Sequence, residues 1–136
     1  GMDISLLKIE KPSDSTIRSI EWSGANNSLY YTINGTLNEL KPDKQPIGNV
    51  DNPIPFTSHS IIPQQNCIFY LLTDGYADQF GGEKGKKYMK SKFKKLLQKI
   101  SKEEVKKQNE LLELELSNWM KNEEQIDDIC IMGVRI

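Results

Sequence analysis

The stretch Cys67-Ile68-Phe69-Tyr70-Leu71-Leu72-Thr73-Asp74-Gly75-Tyr76-Ala77-Asp78-Gln79-Phe80-Gly81-Gly82 decides how the chain reads. Cys67 to Leu72 is continuously apolar and flanked by polar residues, as expected of a strand covered on both faces. It stops at Thr73-Asp74-Gly75, where glycine allows a sharp turn, so the Asp74 carboxylate should project from a sheet edge into a cleft. A second apolar run, Ile129 to Ile136, follows Gln125-Ile126-Asp127-Asp128 and also reads as a buried strand. If the two strands are antiparallel neighbours, the end of one lies beside the start of the other, and Asp74, Asp127 and Asp128 converge. Carboxylates crowded in this way repel, and a hard divalent cation with oxygen ligands, Mg²⁺ or Mn²⁺, relieves them. Spacing alone leaves a plainer alternative open, in which Asp74 supports a turn and Asp127 solvates a strand end.

Upstream, residues 3–73 alternate short apolar runs with turn residues, the pattern of a set of strands. Asp3 to Ile9 is the first, with Ile4 and Leu6 on one face and Leu7 and Ile9 on the other, and Thr16 to Trp22 follows with Ile20 and Trp22 pointing the same way. Leu29 to Ile33, then Asn34-Gly35, then Thr36-Leu37 is a hairpin, because Asn-Gly supplies the positive φ angles of a type I′ turn. Five residues, Pro42, Pro46, Gly48, Pro53 and Pro55, make 41–55 an irregular connection, and Phe56 to Ile62 reads as another strand.

Downstream of Gly82 the period changes to about 3.6, and helices are expected over about 85–120. Tyr88, Met89, Phe93, Leu96, Leu97 and Ile100 form one apolar stripe. Ser101-Lys102-Glu103-Glu104 fits a capping box opening a second helix to about Met120, whose buried stripe is Val105, Leu112, Leu116, Trp119 and Met120. Strands, two helices and a returning strand over 129–136 predict an α+β layered domain.

With 136 residues, 37% hydrophobic and 27% charged content, one soluble domain is the expectation. The net charge of −1 favours neither nucleic acid nor an anionic membrane as principal partner. Cys67 and Cys130 lie inside apolar runs and are expected as free buried thiols in a reducing, cytoplasmic compartment. The start at Gly1-Met2 suggests a processing remnant or a cut edge, and upstream membrane segments in a parent protein are compatible with the sequence. Residues 84–107 hold eleven lysines, whereas 108–128 hold seven acidic residues against Lys121. This pattern reads as a solvated helix face with pairs such as Glu103 and Lys107, or as a docking surface for an acidic partner through Lys90, Lys94 and Lys95.

Thr73-Asp74-Gly75 within Phe69 to Gly82, followed by Gly85-Lys86-Lys87-Tyr88, resembles the Thr-Asp-Gly segment of the SpoIIE-like branch of the PPM-type metal-dependent protein serine/threonine phosphatases. Gln125 to Ile129 resembles that family's closing Asp-Asp strand, Ser23 to Asn27 its Ala-Gly-Ala/His-Asn turn, and Pro46-Ile47-Gly48 its short Leu/Ile-Gly landmark. The resemblance covers the whole chain in order, as the C-terminal part of one domain. It implies a sandwich of antiparallel sheets flanked by helices, and hydrolysis of phosphoserine or phosphothreonine by a metal-activated water, without a covalent phosphoenzyme. It also implies a two-metal Mn²⁺ or Mg²⁺ site in the complete domain. Carried over, Asp74 and Asp127 match metal ligands. Asp128 would orient Asp127, Asp78 would act as a weak or water-mediated ligand, and Gly75 supports them from the turn.

The family's early bridging aspartate and Asp-x-x-Gly-His-Gly loop have no match here, and His59 reads as an exposed strand residue. The expectation is therefore a phosphatase domain of a bacterial signalling protein, truncated and inactive alone, acting on a phosphorylated protein such as an anti-sigma-factor antagonist. The alternative is a non-catalytic interaction module that kept the scaffold. Open sheet edges predict a homo-oligomer that covers them.

Overall fold

Asn34 and Gly35 adopt φ of 49° and 79°, and around them the strongest sequence signal becomes a hairpin. The computed structural model describes residues 1–13 and 16–136; within the predicted strand region 3–73, residues 14 and 15 lie outside the described residues. In chain order the elements are β1 (Ile4–Glu10), β2 (Ser19–Ala25), β3 (Leu29–Ile33), β4 (Thr36–Leu40), β5 (His59–Ile61), β6 (Ile68–Leu72), α1 (Gly75–Asp78), β7 (Phe80–Gly81), β8 (Lys86–Lys87), α2 (Lys90–Ile100), α3 (Val105–Met120) and β9 (Ile131–Arg135). One sheet has the order β1-β2-β5, a second has β4-β3-β6-β9, and β7 and β8 form a small ribbon. The named strand pairs are all antiparallel, so the α+β class with antiparallel sheets and flanking helices holds.

Strand β6 explains the layering, because its side chains alternate between two cores. Phe69, with the preceding Cys67, packs between the sheets against Ile20, Trp22, Leu29 and Ile61. Ile68 and Tyr70 face the helices and join Phe93, Leu97, Ile100 and Leu112. The continuous apolar run is thus covered on both faces. Helix α2 is pinned to the hairpin by Gln98, which accepts from the Leu37 amide at 2.7 Å and donates to the Gly35 carbonyl, and by an ion pair between Lys94 and Glu39.

Several expectations need correction. The second strand starts at Ser19 rather than Thr16. The fifth covers only His59–Ile61, because the Thr57 amide and hydroxyl are taken by the Asp43 carboxylate at 2.7 and 2.9 Å instead of a ladder. The first long helix starts at Lys90, since Lys86 and Lys87 pair with β7 across a turn at Gly82 and Gly85, both at positive φ. Met89 is consequently exposed while Tyr88 is buried. Ser101 makes no capping box. Its hydroxyl donates back to the Gln98 carbonyl at 2.9 Å and ends α2, and Glu104 opens α3 without a side-chain cap. Val105 is exposed, and buried Gln108 takes its place in the interface. Lys107 pairs with Glu110 at 3.7 Å rather than with Glu103. Cys67 is a free buried thiol, but Cys130 is free and exposed, because it lies just before β9 rather than within it. His59 is half-buried against the Trp22 ring at 5.4 Å. Among the described residues, no helix is long and apolar enough to cross a membrane.

Candidate metal centre

Strands β6 and β9 pair antiparallel with Leu72 opposite Ile131, so the residues after one and before the other are neighbours. Thr73 staples them. Its amide donates to the Cys130 carbonyl at 3.0 Å, while its hydroxyl donates to the Asp128 carbonyl at 2.8 Å and accepts from the Cys130 amide at 3.0 Å. Gly75 completes the close approach, because a Cβ there would stand 2.3 Å from the Asp128 carbonyl oxygen. These contacts bring Asp74, at the start of the one-turn α1, beside Asp127.

The electrostatics follow from that placement. Partial burial and the neighbouring Asp78 and Asp127 carboxylates push the Asp74 carboxyl above its usual range, and Asp127 adds a hydrogen bond that favours the protonated form. Asp128 enters through its backbone: its amide donates to Asp127 Oδ1 at 2.8 Å and fixes that carboxylate, while its own side chain is exposed. Asp78 is held by Lys87 of β8 at 3.6 Å. Among the described residues, no three His, Cys, Asp or Glu side chains are grouped so as to hold a metal ion. The chain therefore brings together Asp74 and Asp127 with Asp78 nearby in charge, and leaves the Asp128 carboxylate outside. An acidic pair, one carboxyl of which is pushed up by burial and by its acidic neighbours, fits a divalent cation as a partial donor set.

Beside Asp74 lies a cleft of about 240 Å³, which Asp127 does not line. Asp74, Asp78 and Lys90 line it from one part of the chain, and Asp3 with Asn26 to Ser28, the turn between β2 and β3, from another. Asp3 accepts from the Asn26 amide at 2.8 Å. The floor is apolar, with Tyr30, Leu72 and Phe93.

Two supporting residues escaped the sequence reading. Thr73 could have been singled out as a hydroxyl at the end of an apolar run. Gln79 is fully buried, and its amide nitrogen donates to the Glu124 carbonyl at 2.8 Å, tying the turn after α1 to the segment that leads to Asp127. Its backbone carbonyl accepts from the Trp119 indole at 2.9 Å. Glycine is required two residues on, since a Cβ on Gly81 would stand 2.1 Å from the Trp119 carbonyl oxygen.

The family model described as Stage II sporulation protein E (SpoIIE) matches residues 13–136. The chain belongs to the SpoIIE family. Among solved structures, the SiaA-PP2C domain of Pseudomonas aeruginosa superposes with a TM-score of 0.78 at 29% identity, over 88% of this chain and 46% of that one. The phosphatase domain of the cell fate determinant SpoIIE from Bacillus subtilis, presoaked with Mn, gives 0.65 at 14% identity, over 98% of this chain and 56% of that one. A second form of that domain, without domain swapping, gives 0.61 at 15% identity, over 98% and 54%. This SpoIIE-family chain thus spans about half the length of the structures it matches, and it has the fold of a PP2C-type phosphatase domain. No curated protein matches it.

Proposed function

We propose that the chain is the C-terminal part of one metal-dependent protein serine/threonine phosphatase domain, with Asp74 and Asp127 as metal ligands. The observation that carries this reading is the β6–β9 pairing, which sets two carboxylates 53 positions apart in sequence side by side and leaves Asp74 with a raised pKa. Bound Mn²⁺ or Mg²⁺ would supply Lewis acidity toward water and toward phosphoryl oxygens. The chain's own residues hold and aim the ligands: Thr73 and Gly75 fix the backbone approach, and the Asp128 amide orients Asp127. Asp78 stands by as a weak or water-mediated ligand.

The substrate class is a phosphorylated protein in a bacterial signalling pathway, for which an anti-sigma-factor antagonist is the family's example. Two adjacent carboxylates are too few for a two-metal site, so the chain alone is expected to be inactive. The same shortage favours a second reading, a non-catalytic interaction module built on the scaffold.

Calorimetric titration of the purified chain with manganese, beside Asp74→Asn, tests the proposal. Stoichiometric binding that the variant loses supports a ligand pair. Absence of binding in the parent chain leaves the fold assignment standing and shifts weight to a fragment, or an interaction module, without catalytic capacity of its own.

A further inference from the structure

Three cations stand near the acidic cleft, and their partners differ. Lys87 is engaged by Asp78 at 3.6 Å. Lys94 is engaged by Glu39 and lies over the Tyr30 ring, 5.8 Å from its centroid. Lys90 lines the cleft with Asp74 and Asp78, and among the described residues it has no carboxylate partner. Its place is not loose. It is the first residue of α2, and that helix is held by the Gln98 bonds to β4 and the β3–β4 turn, by the Lys94–Glu39 pair, and by Phe93, which is fully buried on the cleft floor. The preceding residue, Met89, is tied through its amide to the Ala77 carbonyl at 2.8 Å, one residue before Asp78. Asn27, in the same cleft, has a side-chain amide that no group of the chain occupies among the described residues.

A cleft meant only for cations gains nothing from an ammonium group beside its carboxylates, because the lysine repels the metal. An ammonium that no carboxylate neutralises, beside a neutral amide donor, suits an anion that carries several oxygens.

We propose that Lys90 binds the phosphoryl group of the phosphorylated protein substrate, with the Asn27 amide as a neutral second donor. This rests on the phosphatase reading and assigns the group that holds the phosphoryl oxygens beside Asp74. Lys90 orients the dianion against Asp74 and offsets the negative charge that Asp74 and Asp3 leave in the cleft. It is a point-charge anchor, so arginine should replace it in part and methionine should not.

The test uses the full-length protein at saturating manganese, with Lys90→Met, Lys90→Arg and Asp74→Asn. Hydrolysis of a phosphoserine peptide and competitive inhibition by inorganic phosphate are measured together with manganese affinity by calorimetry. Lys90→Met is expected to lower kcat/KM and to weaken phosphate inhibition by about 10- to 100-fold, the range for losing one charge-assisted hydrogen bond. Manganese should bind Lys90→Met as tightly as the parent or more so, since a repelling charge is gone, and Lys90→Arg should regain part of the phosphate inhibition. Unchanged phosphate inhibition in Lys90→Met, with Asp74→Asn inactive, overturns the role of Lys90 and leaves the phosphatase reading standing. A parent protein that neither binds manganese nor hydrolyses the peptide overturns both.

Discussion

Replacing Gly75 by alanine should loosen the Asp74–Asp127 pair and destabilise the fold together. A Cβ at this position would stand 2.3 Å from the Asp128 carbonyl oxygen, 2.9 Å from its carbon and 3.0 Å from Ile129 Cγ1. Comfortable contacts are about 3.5 Å or longer, so one strand end must retreat by about 1 Å. The two nearest atoms belong to backbone, and no flexible side chain can swing away to absorb the shift. Two terms oppose each other. Alanine restricts the unfolded chain and would contribute about 0.4–1 kcal/mol in favour of folding, whereas overpacking costs about 1–3 kcal/mol. Moving the Asp128 carbonyl also strains its 2.8 Å bond from the Thr73 hydroxyl, worth about 1 kcal/mol. The net expectation is a loss of about 1–3 kcal/mol, with manganese affinity reduced because Asp127 moves with its neighbour. Urea unfolding followed by Trp22 and Trp119 fluorescence reads the first effect, and calorimetry the second. A variant as stable as the parent, with unchanged manganese affinity, would refute the close approach on which the site is built.

Two further substitutions address the helical layer and the α2 pin. Tyr70→Phe removes the 2.6 Å bond from the Tyr70 hydroxyl to buried Gln108 Oε1; the orphaned acceptor should cost about 1–3 kcal/mol in urea unfolding, and adding Gln108→Leu should recover part of the loss. For Glu39, partial burial opposes ionisation, but hydrogen bonds from Lys94 and Ser28 and the Lys94 and Lys41 charges outweigh it and hold the carboxyl below 4.5. A depressed folded pKa gives stability that is present above the unfolded value and fades as pH falls through the folded one. Glu39→Gln should therefore cost under about 1 kcal/mol at neutral pH, the pair being partly solvated. Thermal melts of parent and variant should converge in acid.

The sequence spoke most clearly where local chemistry and burial agree. Asn34-Gly35 dictates its turn, and a run such as Cys67 to Leu72, apolar at every position, has to be covered on both sides. Its companion run, Ile129 to Ile136, supplied the antiparallel partner that places Asp74 beside Asp127. The misses have one physical character: a competing bond took the group that the expected pattern needed. Thr57 gave its amide and hydroxyl to Asp43 instead of a strand neighbour, Ser101 bonded backward rather than forward, and Lys86-Lys87 found a β partner in Phe80-Gly81 although the helical period ran through them. Side-chain reach was likewise hidden. That Asp128 serves Asp127 through its amide, and that Lys90 enters the cleft with no carboxylate partner among the described residues, depends on how α2 and β9 are seated.

The Thr73–Asp128 staple spans 55 positions, and it closes only when β9 docks. Closing so long a loop has an entropy cost that must be met before the contacts repay it. An intermediate with β1 to β6 and both long helices in place, but β9 adrift, would keep most of the secondary structure and have no acidic pair. If the pair holds a cation as proposed, time-resolved cation binding would report the docking of this single strand.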